Sequence, residues 1–338
     1  MDVFVAWRDL VHARGRFALM TAVVVMITVL VGLLSGLTQG LGRESTSAVT
    51  GLATERLVFS GDRSSFASSR VPSSARIEGE PLGFATVRAQ SGDRTTPVTS
   101  IGVEPRSSVA PDSSGVARGR VVLAEKAASE LGAAPGDEVR IGTRELVVAR
   151  VHGEASFSHT PVVWTDLADW QDITGAQRSA TVVATADHVV VPAGYTSVPL
   201  AASVQAIGSY TSENGSLNLI RGFLLVISAL VIGAFFTVWT IQRSRDIAVL
   251  KALGASTAYL LRDALGQAVV LLLGGTLVGA LLVVVAGSLV SGRVPFVLDV
   301  PTLALPLAVL NLLGVAGAAL AVRRVTSIDP LTALGSAR

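Results

Sequence analysis

Residues 17–37 read FALMTAVVVMITVLVGLLSGL, 21 positions without a charged side chain. At about 1.5 Å rise per residue, a helix of that length reaches roughly 31 Å, enough to cross the hydrocarbon core of a bilayer. Three further stretches share this character. Leu219–Ile241 is apolar but for Arg221 near its start; Ala264–Val290 has Gln267 as its main polar residue; Thr302–Val322 holds Pro306 and Asn311. A block of about 177 residues that mixes strand and helix signals separates the first stretch from the second. The fold expected is an α-helical membrane protein with four transmembrane helices, one plus three, and an α+β extracellular domain inserted between helices 1 and 2.

Composition supports that reading. Of 338 residues, 50% are hydrophobic and 15% charged, against about 25% charged in soluble domains, and the mean hydropathy is +0.58. Such hydrophobicity excludes disorder. The absence of cysteine excludes a disulfide scaffold, thiolate metal sites and thiol catalysis. The net charge of +2 with a pI near 9.4 does not point to nucleic acid, because the basic residues flank the apolar stretches.

Those residues set the orientation. Arg8, Arg14 and Arg16 precede helix 1; Arg243, Arg245, Lys251 and Arg262 lie between helices 2 and 3; Arg323, Arg324 and Arg338 follow helix 4. The short connection between helices 3 and 4 has only Arg293. The positive-inside rule then puts both termini in the cytoplasm of a multi-pass protein of the cell membrane. The expected division is a cytoplasmic amphipathic helix (1–16), helix 1 (17–41), the extracellular domain (42–218), helix 2 (219–241), a cytoplasmic loop (242–262), helix 3 (263–290), an extracellular loop (291–301), helix 4 (302–322) and a cytoplasmic tail (323–338). The apolar run of helix 1 exceeds the 7–15 residues of a signal-peptide core and no A-x-A site follows it, so it reads as a retained anchor. Val3, Phe4, Trp7, Leu10 and Val11 fall at helical spacing, either as a surface-lying amphipathic helix or as the cytoplasmic start of helix 1.

In the long block, Val58-Phe59 and Ala85-Thr86-Val87 read as short strands. Val121–Val151 gives a strand over Val121–Leu123, a helix over Ala124–Leu131, a stop at Gly132, and strands over Glu138–Ile141 and Leu146–Val151. Gly61–Ser74 and Ser107–Gly119 read as loops. No catalytic or metal-ligand spacing such as H-E-x-x-H or G-x-S-x-G occurs. His159, in Ser158-His159-Thr160-Pro161, reads as a structural histidine in a turn, with a ligand role the alternative. Gly32, Gly36 and Gly40 recur every four residues on helix 1, and Gly275 and Gly279 on helix 3, making smooth faces for close helix contact. The three on helix 1 are expected to meet their counterparts across a dimer axis.

The loop Gln242–Ser256 reads QRSRDIAVLKALGAS. Arg243, Arg245 and Asp246 precede an apolar face of Ile247, Leu250 and Leu253; Lys251 follows, Gly254 supplies a helix stop, and Ser256 or Thr257 caps the next helix. This stretch resembles the signature of the FtsX/MacB-type permeases of ABC transporters, R-x-R-E-I-A-V-L-K-A-[IL]-G-A-S, with Asp246 in place of glutamate. The ending Ile328-Asp329-Pro330-Leu331-Thr332-Ala333-Leu334 is similar to the family's close, and Val121–Val151 to part of its extracellular core. The resemblance implies a homodimer, each copy docked on a cytoplasmic ABC ATPase subunit that grips the loop at Arg243, Arg245, Asp246, Leu250, Lys251 and Gly254. The chain itself is then no enzyme. Neither lysine sits in the G-x-x-x-x-G-K-[ST] loop that holds ATP phosphates.

Leu57-Val58-Phe59-Ser60, the opening Ala6-Trp7-Arg8-Asp9-Leu10 and Phe157-Ser158-His159-Thr160-Pro161 resemble the HrtB branch, the permeases of Gram-positive haem efflux pumps. That resemblance implies haem as transported substrate, taken from the outer leaflet, with no permanently bound cofactor. An iron ligand and cations for the propionates would come from Arg43, Glu44, Tyr210, Glu213 and Arg221. Arg221 serves either as an interfacial anchor or as a propionate partner, and Glu44 either as a carboxylate ligand or as the partner of a neighbouring cation. Met20 and Met26 are packing residues rather than thioether ligands. The alternatives are export of a peptide, lipid or lipoprotein by the same mechanics, and a non-transporting signal transmitter to a cell-wall hydrolase.

Overall fold

The computed structural model describes residues 14–242, 249, 253–290 and 294–326. The expected amphipathic segment up to residue 13, the tail beyond 326 and Arg243, Arg245, Asp246, Leu250 and Lys251 lie outside the described residues. The chain divides into two units, Met1–Gly40 with Leu217–Arg338, and Leu41–Ser216.

The first unit is helical. Helix α1 (Arg14–Thr50) opens the described chain. The other three long helices, named by their place in chain order, are α5 (Gly208–Gln242), α6 (Thr257–Val290) and α7 (Val300–Thr326). Each of the four is long and apolar enough to cross a membrane, and the chain is a multi-pass membrane protein. All four helices outrun the expected spans, α1 and α5 the furthest. α1 continues past Leu41 because its polar last turns place Ala48 and Val49 in the inserted domain's own core, and α5 begins at Gly208 rather than Leu219. The membrane unit is held by Met20, Val24, Ile232, Phe236, Leu272 and Leu310, among others. Asn311 Nδ2 donates to Thr276 Oγ1 (3.1 Å) and to Leu307 O (2.8 Å), so the polar groups of α6 and α7 satisfy each other.

The glycine faces are filled from within the chain. A Cβ on Gly32 would stand 2.6 Å from Val283 of α6, one on Gly275 2.7 Å from Val24, and one on Gly279 2.6 Å from Thr28. Gly36 faces the Phe296 ring and Gly40 the Pro295 carbonyl, and Val297 N donates to Gly36 O at 3.1 Å. The close approach expected of these glycines is present, but it replaces the expected dimer contact with an intrachain one. The short connection before α7 returns to α1 at Gly36 and Gly40.

The inserted domain comprises β1 (Arg56–Ser60), β2 (Val71–Pro72), β3 (Glu80–Ser91), β4 (Arg94–Val103), β5 (Arg120–Leu123), α2 (Glu125–Leu131), β6 (Glu138–Ile141), β7 (Arg144–Val151), β8 (Ser156–Phe157), β9 (Thr160–Asp166), α3 (Leu167–Thr174), β10 (Ser179–Ala180), β11 (Val182–Thr185), β12 (Tyr195–Pro199) and the short α4 (Leu200–Ser203). The expected strand at Ala85–Val87 is the middle of the long β3, and the expected loop Gly61–Ser74 contains β2. Strands pair in the order β3-β4-β9-β5-β7-β6, and β6 pairs back on β3 through Ala89↔Ile141 and Gln90↔Arg140, closing a ring. Val98, Val121, Leu123, Ile141, Leu146 and Val163 fill it, and α2 adds Ala127, Ala128 and Leu131. The first residues of β3, Glu80–Leu82, pair with β11, which continues through β1 to β12.

A second core lies beneath this extension, where Phe66 packs against Phe59, Phe84 and Phe157 at centroid distances of 5.1, 4.8 and 5.2 Å. Trp170 of α3, 1% exposed, lies on Gly83 and Gly102, which are cross-strand partners of β3 and β4. A Cβ on either would overlap the indole or its stem. Gly83→Ala or Gly102→Ala is expected to destabilise the protein by about 1–3 kcal/mol through overpacking, read as a lowered unfolding midpoint; an unchanged midpoint would contradict this packing.

Candidate functional site

The hairpin of β8 and β9 has a two-residue turn, since Phe157 pairs with Thr160. Ser158 and His159 both have positive φ, 49° and 65°, as a type I′ turn requires. Neither is glycine, so the turn is held by its surroundings. At its root Phe157 is locked in the aromatic core, and Thr160 Oγ1 donates to Phe157 O at 2.8 Å. Along its side, Ser156 N donates to Ser47 Oγ (2.9 Å), which donates back to Ser156 O (3.2 Å). At the tip, Ser158 N donates to Ser45 O (3.0 Å) and His159 N to Glu44 O (3.2 Å).

This anchoring puts the imidazole between two helices. His159 Nε2 lies 2.7 Å from Glu213 Oε2 on α5 and 2.9 Å from Ser45 Oγ on α1. A carboxylate oxygen only accepts, so Nε2 carries the hydrogen in this contact. The other ring nitrogen, Nδ1, faces Glu44 Oε2 at 3.8 Å. Glu44 Oε1 in turn accepts from Lys126 Nζ of α2 at 2.7 Å, and Ser158 Oγ meets Ser209 Oγ of α5 at 2.8 Å. Glu44 and His159 are about a quarter exposed, whereas Glu213 and Lys126 are nearly half exposed. Two carboxylates, an imidazole and an ammonium group therefore form one chain, Lys126–Glu44–His159–Glu213, open to solvent along one side.

Among the residues singled out from sequence, Glu44 and Glu213 are brought together. Tyr210 packs against the aromatic core, with its ring edge near Gly42 and its hydroxyl accepting from Asn214 Nδ2 at 3.3 Å. Arg43 follows Gly42 on α1. Arg221 belongs to the membrane unit, where its Nη2 donates to Asn218 Oδ1 at 2.7 Å. Met20 is buried in the membrane core and Met26 is exposed on α1, 2% and 61%. In the loop before α6, Gly254 has φ +95° and Ser256 Oγ accepts from Tyr259 N, a helix stop followed by a cap. His159, Ser45 and Lys126 were not singled out as site residues. The signal for His159 was a histidine in a two-residue turn, a residue type enriched at positive φ. Among the described residues, no three His, Cys, Asp or Glu side chains stand as a preformed site for a bare metal ion.

Residues 218–330 match the FtsX-like permease C-terminal family. Over 129 residues it is 29% identical to the putative hemin transport system permease protein HrtB of Staphylococcus epidermidis and 32% identical to the protein of the same description from Staphylococcus haemolyticus. The aligned stretch covers 38% of this chain and 37% of each relative, so it spans little more than a third of the curated relatives' length. A solved structure, the extracellular domain of the noncanonic ABC-type transporter YknZ from Gram-positive bacteria, aligns with 41% of this chain and 84% of its own, at 14% identity and a TM-score of 0.29.

The His159 contacts make a stability prediction. Asparagine tolerates the left-handed backbone but cannot reach both Ser45 and Glu213, so His159→Asn removes the side-chain bonds and spares the turn. The expected loss is about 1 kcal/mol, read from the urea midpoint. An unchanged midpoint would mean that the imidazole contacts hold nothing in place.

Proposed function

We propose that the chain is the membrane-spanning subunit of an ABC-type efflux pump and that its cargo is haem. The observation that supports this most is the joining of Glu44, His159 and Glu213 in one cluster, in a chain with an FtsX-like permease domain and relatives described as hemin permeases. Imidazole is a common axial ligand of haem iron, and a carboxylate offers a charged oxygen donor. Lys126, Arg43 and Arg221 supply cations of the kind that pair with propionates. Glu213 and Ser45 hold the imidazole at Nε2 while Nδ1 only faces Glu44, so an iron taking the imidazole at Nε2 would release Glu213 from the cluster.

The working unit in this reading is a homodimer with two copies of a cytoplasmic ATPase docked on the loops that carry Arg243 to Lys251. ATP-driven closure narrows an outer-leaflet cavity and expels the amphiphile outward, without carrying it across the whole bilayer. The faces of Gly32, Gly36 and Gly40 are already filled within each chain and take no part in closure.

Two experiments test this reading. Haem titrated into the full chain, reconstituted with its ATPase partner, is expected to give a saturable Soret shift and to change the ATPase rate. The shift should be weakened about tenfold or more in Glu44→Ala and His159→Ala; no shift beyond that of empty lipid would contradict haem as cargo and leave peptide or lipid export. For orientation, the cysteine-free background allows single labels. Asp93→Cys in the inserted domain should react with an impermeant maleimide on intact cells, and Ser336→Cys only after lysis. The reverse pattern would overturn the assigned topology.

A further inference from the structure

In the inserted domain, away from the His159 cluster, β2, β10, the start of β3 and the start of α3 enclose a cavity of about 200 Å³. Its floor is apolar, made by Val71, Ile77, Pro81, Leu167, Ala180 and Val183. Its mouth carries two arginines, Arg76 and Arg178, both exposed. Their backbones are hooked to one residue: Ser73 N donates to Arg178 O (2.8 Å), and Arg76 N to Ser73 O (3.4 Å).

Arg76 and Arg178 pair with no carboxylate among the described residues, as is true of other arginines of the domain such as Arg88 and Arg120, but these two line one cavity. Both also occupy left-handed backbone, φ 51° and 54°, where glycine or asparagine would fit without the steric cost of a long side chain.

We propose that this cavity binds a small amphipathic carboxylate, with the charge held between Arg76 and Arg178 and a short apolar body on the floor. Guanidinium forks match carboxylates in geometry and charge. The volume lies below the roughly 300–1,000 Å³ of pockets that bury drug-sized ligands, so the ligand is smaller than these and the site is distinct from any that takes haem. The proposal does not depend on the efflux reading, because it rests on residues of one domain only.

The absence of cysteine gives a local readout. Ser73→Cys, at the rim, would be alkylated by a maleimide in the full chain in lipid nanodiscs, with 4-methylpentanoate as the probe and 4-methylpentanamide as its neutral isostere. Saturable slowing by the carboxylate and none by the amide is expected. Arg76→Gln or Arg178→Gln should each raise the half-protecting concentration roughly tenfold; both are exposed and unpaired, so folding is spared. Protection by the polypeptide-borne group alone, tested with an acetylated peptide ending in leucine, would overturn the small-ligand assignment. Equal protection by the amide, no protection by the free acid, or protection unchanged in the double variant would overturn the site itself.

Discussion

The 2.7 Å contact between His159 Nε2 and Glu213 Oε2 joins a hairpin tip to a helix that continues as a membrane span, and the candidate site depends on it. Without it Glu213 is a solvated carboxylate on α5 and Glu44 the partner of a lysine on α1. With it they are held about the same ring. The contact rests on two layers of packing. The Phe157 ring, locked against Phe66 and Phe84, fixes where the hairpin begins, and the amides of Ser158 and His159, bound to α1 carbonyls, fix where it ends. A turn with two non-glycine residues at positive φ costs of order 1–3 kcal/mol per strained residue, and these bonds are what offsets it.

Magnitudes assign different roles to the members of the cluster. Lys126 and Glu44 are 46% and 26% exposed, and an ion pair in that setting contributes about 0–1 kcal/mol. It orients Glu44 rather than stabilising the domain. Stability comes instead from the filled ring of strands and the aromatic core beneath β3. The cluster can therefore tolerate rearrangement of its charged groups without loss of the fold.

Hydropathy made four membrane helices legible, because a run of some twenty apolar residues has few other uses in a chain this long. Local turn chemistry likewise marked the end of α2 at Gly132 and the strand that follows at Glu138. The closing of the ring was not legible, since β3 meets β6 through residues about fifty positions apart that carry no pairing signal. Gly32, Gly36 and Gly40 announced a close approach but not its partner, because a smooth face fits a neighbouring helix or a second copy equally well. His159 was read as a turn residue, and it is one. Its second role arises from Ser45, Glu44 and Glu213, which only the tertiary fold brings near.

A double-mutant cycle on haem affinity between His159→Ala and Glu213→Gln, with the full chain in lipid, tests most directly whether the cluster works as one unit. Coupling of about 1 kcal/mol or more between the two substitutions is expected for groups in direct contact. Strict additivity, or affinities unchanged by either substitution, would contradict a cargo site built on the His159–Glu213 contact.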